Sequence, residues 1–447
     1  MRIMNYYPYL GLRFLEDLVK GESVAKHFFR MRRLKYADPE IISHHKFDAL
    51  KRLLNHAYLH VPLYKKMFVD QDCHPEDIKS FEDYSKLPSL TREDIQGHTQ
   101  ELLSRSVDIK SLRSGNSSGT TGKRLNFYQD AQAMSAGRAA ILIGWEMAGK
   151  SLGDRLTTLW GNKIVVEEQW ATFGSRLKAK LYRNTRIPSY LIVDETKLRE
   201  ALDLMLKQKG GFLQSYSSSL YALALYAQKH GIEVDPKFDG ILTTAETLFP
   251  HQRIAIEEVF GPVFDGYGSH EILGIAYQCQ ERHGYHLVDP NVIFETEDFS
   301  GDLKEIVITD LWNYAFPFIR YRIGDLTSGE LGPCPCGCTW RRIERIEGRV
   351  TDALFTPQGG IFPITAIGFR VMRPYCPPIQ QYQLAKVAHN KVVLRLQIKE
   401  NQDLDLNMIK SLMEPNFKEI WQLEVVRVDK FEVGPSGKHK VVVDETA

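Results

Sequence analysis

Between residues 112 and 345 the chain alternates two textures. Short runs such as RLTTLWG (155–161), DGILTTAE (239–246) and LKEIVITDL (303–311) read as strands. SSSLYALALYAQKHG (217–231) reads as a helix that stops at Gly231. Strands that alternate with helices bury both faces of a sheet, so the pattern predicts the layered α/β class.

Residues 1–90 are different. Asp38-Pro39 is a helix start, and Ile41, Ile42, Phe47, Leu50, Leu53, Leu54 and Ala57 recur at helical spacing. A third texture begins near Arg349. QQYQLAKVA and KVVLRLQIKE alternate like paired strands across His389-Asn390, DLDLNMIKSLMEPNFKEI is an amphipathic helix, and LEVVRVDKFEV is a further strand. The expected organisation is a large multi-layer α/β N-terminal domain (1–347) with a helical lead-in (1–90). A joint at 348–352 would link it to a small α+β C-terminal domain (353–447). No internal repeat or low-complexity tract interrupts this order.

Of the 447 residues, 43% are hydrophobic and 25% charged, enough for a large core. A net charge of +1 gives no reason to expect a nucleic-acid partner. No apolar run reaches the roughly 18 residues that span a bilayer. The first twenty residues lack the apolar core and small-residue site of an export signal, so a cytoplasmic protein is expected. Arg30, Arg32, Arg33 and Lys35 follow on a helix-like segment that could favour a membrane surface but reads rather as a solvated face. Six cysteines include Cys334, Cys336 and Cys338 in CPCGC. Without export, such crowding suggests metal or free thiols rather than disulfides.

The stretch SGNSSGTTGKRLNFYQD (114–130) carries unusual chemistry. Gly residues let a backbone approach a phosphate, hydroxyls and N–H groups donate to it, and Lys123 adds charge. The pattern GxxxxGK(S/T) is not met, because Ser117 and Arg124 stand at the wrong places. Alone, such a stretch is a linker more often than a phosphate site. Companions follow in order: TTAETLFP (243–250), DGYGSHEILG (265–274), YRIGDLTSGE (321–330), RIERIEGRVTD (342–352) and GPSGKHK (434–440).

This ordered set resembles the adenylate-forming superfamily of acyl-CoA synthetases, peptide-synthetase adenylation domains and luciferases. It is most similar to the branch of phenylacetate–CoA ligases, CapK-type proteins and coenzyme F390 synthetases. SSGTTGKR matches the phosphate-loop motif SSGTTGKP, YGSHE matches YG(S/T)xE, and YRIGDL matches Y(R/K)TGDL. IEGRVTDAL matches the GRxDD hinge, and PSGKHK matches the C-terminal lysine loop. Arg124, His270 and Thr351 depart from the pattern.

The resemblance implies an AMP-forming ligase with ATP, Mg²⁺ and a carboxylic acid as partners and coenzyme A as co-substrate. Ser117, Ser118, Gly119, Thr120, Thr121, Gly122 and Lys123 would wrap the β- and γ-phosphates. Thr121 and Glu271 would hold Mg²⁺. Ala245, Glu246, Tyr267, Gly268 and Ser269 would lie along the nucleotide, with Asp325 and Arg345 at the ribose. Lys438 would bridge the substrate carboxylate and the α-phosphate. Tyr216, Ser217, Tyr267 and Gly268 are candidate walls of an acid pocket suited to an aromatic or small polar acid. Two alternatives remain open: transfer of the activated acid to a sugar or amine, as in capsular-polysaccharide relatives, and a non-catalytic scaffold. The oligomeric state, a dimer included, is left open as well.

Cys334 and Cys336 sit on a Pro/Gly turn, and Cys279 and His286 flank a short polar turn upstream. Together they supply a four-ligand set for a closed, structural Zn²⁺ site. Some relatives in the branch hold zinc with a similar arrangement. Cys338 would be spare or stand in for a histidine ligand. The competing reading is a reduced cysteine cluster beside solvated histidines.

Overall fold

Asp38 ends one turn and starts a helix: its carboxylate accepts from Glu40 N at 2.8 Å, and Pro39 occupies the first helical position. The lead-in comprises α1 (Arg2–Lys20), α2 (Val24–Leu34), α3 (Pro39–His60), α4 (Pro62–Asp70) and α5 (Phe81–Ser85), as the helical spacing predicts. Short helices α6 (Arg92–Gly97) and α7 (Thr99–Leu102) follow, the first capped by Thr91. The computed structural model describes residues 2–117, 125–160, 173–188, 195–208, 210–300, 302–349, 354–355, 361–362, 378–399, 402–417, 420–431 and 442–446. Among the described residues, no helix is long and apolar enough to cross a membrane.

A hairpin of β1 (Arg113–Ser117) and β2 (Leu125–Gln129) comes next, with Gly115 opposite Phe127. A Cβ at Gly115 would lie 2.3 Å from the Phe127 ring, so glycine lets that ring cross the partner strand. Asp130 then starts α8 (Ala131–Met147) by accepting from Ala133 N at 2.8 Å. The other carboxylate oxygen of Asp130 accepts from Tyr314 N and Ala315 N, each at 3.0 Å.

The remaining large-domain elements are β3 (Leu156–Leu159), α9 (Phe173–Leu181), β4 (Asn184–Ile187), α10 (Glu195–Leu206), β5 (Phe212–Ser215), α11 (Ser217–Lys229), β6 (Gly240–Thr244), α12 (Pro250–Phe260) and β7 (Val263–Tyr267). After them come β8 (Ala276–Tyr277), β9 (Tyr285–Leu287), β10 (Val292–Ser300), β11 (Leu303–Asp310), β12 (Tyr321–Leu331) and β13 (Arg342–Arg349). They form an 11-stranded sheet in the order β10-β11-β12-β13-β9-β8-β7-β6-β5-β3-β4. The half β4-β3-β5-β6-β7 is parallel, and from β7 onward the pairing is antiparallel.

The parallel strands are near-continuous apolar runs because both faces are covered. Leu213, Ile241 and Val263 pack with residues of α10, α11 and α12, while Phe212, Leu242 and Phe264 join the core that includes α8. Successive side chains thus serve opposite layers.

Beyond a two-stranded ribbon of β14 (Leu354–Phe355) and β15 (Ile361–Phe362) lies the small α+β domain. It contains β16 (Ile379–Ala388), β17 (Lys391–Ile398), α13 (Leu406–Phe417), β18 (Gln422–Val428) and β19 (Val442–Asp444). The β16–β17 hairpin turns at His389-Asn390 as expected, in a sheet ordered β18-β17-β16-β19. Ile409, Met413 and Phe417 of α13 close a separate core with Leu384, Leu394 and Leu396. The Phe249 ring of the large domain meets Tyr382 of β16 at 5.7 Å between centroids.

Tyr277 shows how tightly the layers meet. Its buried ring occupies the space a Cβ would take at both Gly144 of α8, 2.5 Å away, and Gly266 of β7, 2.8 Å away. Gly144→Ala should therefore destabilise the protein by about 1–3 kcal/mol through overpacking, read as a lower urea midpoint. Gly97→Ala, which meets nothing within 4 Å, is the control and should leave the midpoint unchanged or slightly raised.

Candidate functional site

Ligands of open α/β sheets bind beyond the carboxyl ends of the parallel strands. Here the ends of β5, β6 and β7 carry Tyr216, Ser217, Ala245, Glu246, Tyr267, Gly268, Ser269 and Glu271. After β5, Tyr216 stacks on Trp160, the residue following β3, at 4.0 Å and 21°. Burial, with Glu246 adding to it, pushes the Tyr216 phenol up to about 12. At the end of β6, Ala245 turns the chain with φ of +69°, a left-handed conformation that disfavours a side chain. The turn aims Glu246 back at the start of α11. Its Oε2 accepts from Ser218 N at 3.0 Å and from the Ser217 hydroxyl at 3.3 Å. A carboxylate there satisfies free N–H groups and complements the helix dipole. The Glu246 and Ser217 side chains are thus engaged with each other.

After β7, the Tyr267 hydroxyl donates to Asp325 Oδ2 at 2.7 Å, across from the antiparallel half. Gly268 precedes a tight turn in which Ser269 Oγ accepts from Ile272 N and Ser269 N donates to Ile272 O, both at 3.0 Å. Glu271 rides on this turn and is only 4% exposed. The Tyr321 hydroxyl lies 3.4 Å from Glu271 Oε1. Burial, reinforced by Glu271, pushes the Tyr321 phenol far above its usual range, so it stays a neutral donor.

The β1–β2 hairpin is pinned to this turn. Gln129 Nε2 donates to the Glu271 carbonyl at 3.1 Å, His270 Nδ1 lies 2.9 Å from the Asn116 carbonyl, and Phe127 meets the His270 ring edge-on. Ser117 pairs with Leu125 at the hairpin end. Both ends of the Ser/Thr/Gly loop therefore start beside the Glu271 turn. The loop itself, Ser118 to Lys123 with Thr121, lies outside the described residues, as do Arg124, Val350 to Asp352 of the joint and Lys438.

The ladder between β12 and β13 sets Arg349 across from Asp325 and Arg345 across from Ser328. Arg345 Nε lies 3.2 Å from Glu347 Oε1 and 3.7 Å from Glu344 Oε1. The structure thus joins Arg345 to these two acids. Sequence reading gave no role to Tyr321, Gln129 or Trp160. Tyr321 opens the quoted YRIGDL, so its signal was present. Gln129 and Trp160 sit at strand ends, where only the tertiary fold reveals their partners.

A second cluster joins the turn after β8, strand β9 and the connection between β12 and β13. Cys279, His286, Cys334 and Cys336 present ligand atoms that all lie within 4.8 Å of one another. Cys279 Sγ is 3.7 Å from Cys334 Sγ, and Cys336 Sγ is 3.5 Å from His286 Nε2. The CPCG turn closes through Gly337 N to Cys334 O at 3.1 Å, with Gly337 at φ of +79°. Burial, aided by the Arg342 charge, pulls His286 down to about 4, which leaves a neutral imidazole. The Trp340 backbone favours a proton on that ring, yet no hydrogen bond of good geometry reaches the buried Nδ1. Three thiols and a neutral imidazole fit a tetrahedral Zn²⁺ donor set. Cys338 is outside the cluster, and burial pushes its thiol up to about 12. The competing reading, a reduced cluster beside solvated histidines, does not hold for His286, which is fully buried.

No family model matches the chain. It is 27% identical over 347 residues to a phenylacetate–coenzyme A ligase of Pseudomonas putida, covering 74% of this chain and 75% of that one. It is 28% identical over 283 residues to CapK of Staphylococcus aureus, covering 62% of this chain and 61% of CapK. A solved 2-hydroxyisobutyryl-CoA ligase in its postadenylation state shares the fold, with a TM-score of 0.75, 17% identity and coverage of 93% and 92%. These likenesses support the adenylate-forming superfamily, on its phenylacetate–CoA ligase and CapK branch. These relatives are coenzyme A ligases, and the chain is an ATP-dependent, AMP-forming ligase of the acid–thiol kind. The same 2-hydroxyisobutyryl-CoA ligase in its thioesterification state aligns with a TM-score of 0.61, at 18% identity over 92% and 91% of the two chains.

The Glu246 contact yields a direct test of the site's framework. Glu246→Ala should cost about 1 kcal/mol of stability through loss of the acceptor at α11, measured by urea unfolding. Glu246→Gln keeps an acceptor oxygen and should recover most of that loss.

Proposed function

We propose that the chain activates a carboxylic acid with ATP and passes the acyl group to the thiol of coenzyme A. The observation that carries this reading is the convergence of Tyr267–Asp325 and Glu271 beyond the parallel strands, with the Ser/Thr/Gly loop rooted beside Glu271. In the first half-reaction a carboxylate oxygen attacks the α-phosphorus, and the bond to the leaving pyrophosphate breaks. In the second, the thiol displaces AMP. Both halves call for groups that gather charge on phosphate rather than for a protein nucleophile.

In this reading the Tyr267 hydroxyl aims Asp325, whose carboxylate accepts from the ribose hydroxyls. Ser117 to Lys123 hold the β- and γ-phosphates. Glu271 and Thr121 hold Mg²⁺, a hard cation suited to carboxylate oxygen. Glu271 fits that task, since its one described side-chain partner is the 3.4 Å contact to Tyr321. Ala245 and Gly268 bring backbone close to the base, and Arg345 acts at the ribose side with its acidic neighbours. Lys438 offsets charge where the acyl–phosphate bond forms. Rotation about 348–352 carries it in and out. Tyr216 stacked on Trp160 supports an aromatic or small polar acid as substrate. The enzyme would work in the cytoplasm, where ATP and coenzyme A are available.

The similarity to CapK favours a second acceptor, a sugar or amine of a surface polysaccharide. ATP–pyrophosphate exchange over aryl, fatty and amino acids tests the shared first half. Exchange with at least one acid is expected, and none in folded protein that also fails to bind ATP would sink the proposal in favour of a scaffold. Adding coenzyme A then separates the acceptors by thioester formation. Lys438→Ala should lower exchange by roughly 100-fold or more while ATP binding stays near wild type.

We assign the Cys279–His286–Cys334–Cys336 cluster to a structural Zn²⁺, which would cross-link the β8–β9 turn to the CPCG turn. Purified protein should carry about one zinc per chain. Replacing both Cys334 and Cys336 with serine should abolish that content and lower the melting temperature. Wild-type protein purified from zinc-supplemented cells without metal would overturn the assignment.

A further inference from the structure

Helix α1 packs Tyr6, Tyr9 and Leu10 against the core. Arg13, Glu16 and Asp17 also face the protein. Arg13 Nε donates to Asp17 at 3.1 Å and Arg13 Nη2 lies 3.3 Å from Glu22, while Asp17 also accepts from Ala25 N at 2.8 Å. Glu16 takes hydrogen bonds from Lys20 at 2.6 Å, from Tyr182 at 2.8 Å and from Lys178. A second apolar face of the helix points outward. Tyr7, Phe14, Leu15, Leu18 and Val19 are all exposed, Leu18 by 80% and Val19 by 84%. Their spacing forms one continuous stripe along the helix. Isolated exposed apolar side chains need no explanation, but a whole helix face does.

The flanks extend the surface. On one side α9 is locked to α1 through Glu16, and the Tyr9 and Tyr182 rings meet edge-on at 5.0 Å. Leu177 and Leu181 are exposed there, on the side of α9 shared with Lys178 and Tyr182. On the other side Arg32 of α2 donates to the Tyr6 hydroxyl at 3.2 Å. These flanks are cationic. Residues 2–35 hold eight lysines and arginines against three acids, and residues 173–188 hold five against none. The acids on α1, Glu16 and Asp17, are both occupied inward.

We propose that this face docks the enzyme on the surface of an anionic lipid bilayer. An apolar stripe bordered by lysine and arginine suits insertion at the headgroup boundary, with Tyr7 at the interface. A second copy of the chain would bring two cationic flanks together, whereas an anionic bilayer complements them. The helix lies on the membrane rather than crossing it.

Vesicle co-sedimentation of the full chain tests the idea. Binding is expected to vesicles of phosphatidylcholine mixed with phosphatidylglycerol, to weaken in high salt, and to be far weaker with phosphatidylcholine alone. The double variant Leu15→Asp/Leu18→Asp should bind anionic vesicles roughly tenfold or more weakly, with unchanged circular dichroism and pyrophosphate exchange. Arg176→Glu/Lys180→Glu should lessen the preference for anionic lipid. No binding to anionic vesicles, or equal binding by the Leu15/Leu18 variant, overturns the proposal. So does a wild-type dimer in sedimentation velocity that this variant turns into a monomer, since the face would then join two copies.

Discussion

Three backbone N–H groups converge on the carboxylate of Asp130, and much of the large domain is arranged around that meeting. One oxygen starts α8, whose alanine-rich face covers the sheet. The other holds the buried segment 311–320, which has few regular hydrogen bonds of its own. That segment in turn receives the lead-in: Ser104 N donates to Ala315 O, His56 Nε2 lies 2.9 Å from Tyr314 O, and Tyr64 OH donates to Pro317 O at 2.9 Å. Buried backbone must be satisfied somewhere, and here one acid and the lead-in helices share the task. Asp130 also follows β2, so the same carboxylate anchors the end of the β1–β2 hairpin opposite the Ser/Thr/Gly loop.

The local layer of this design was legible before the fold was known. Strand and helix periods gave the α/β alternation, the β16–β17 hairpin at His389-Asn390 and helix α13, because each follows from neighbours a few residues apart. The Cys/His set was legible too, since two tight turns with thiol and imidazole ends leave few geometries. Long-range choices were not legible. Glu246 engages the start of α11, a pairing that depends on Ala245 adopting positive φ. The register of β12 on β13, which sets Arg349 rather than Arg345 across from Asp325, rests on an irregularity between Leu326 and Thr327. The outward apolar face of α1 was hidden for the same reason. Helical spacing defines two faces, and Lys178 and Tyr182, over 160 residues away, decide which turns inward.

The cysteine cluster connects regions that otherwise share little sequence proximity. Immediately after CPCGC, Thr339 N donates to Lys35 O at 3.0 Å and Trp340 Nε1 to Leu34 O at 3.2 Å, so the turn grips the end of α2. Lys35 continues the chain of contacts to Glu146 on α8 at 2.7 Å. Holding the cysteine turn in shape therefore holds one cationic flank of α1 and the end of α8 together. A structural metal fits this position because it rigidifies without leaving an open coordination site for substrate.

The Phe249–Tyr382 contact ties the small domain to a particular place: the segment leaving β6 that also contains Ala245 and Glu246. Any swing of the small domain must part those two rings. The disturbance would fall first on a stretch whose backbone already holds an uncommon conformation. The ring that meets the small domain and the residues at the end of β6 thus share one short length of chain.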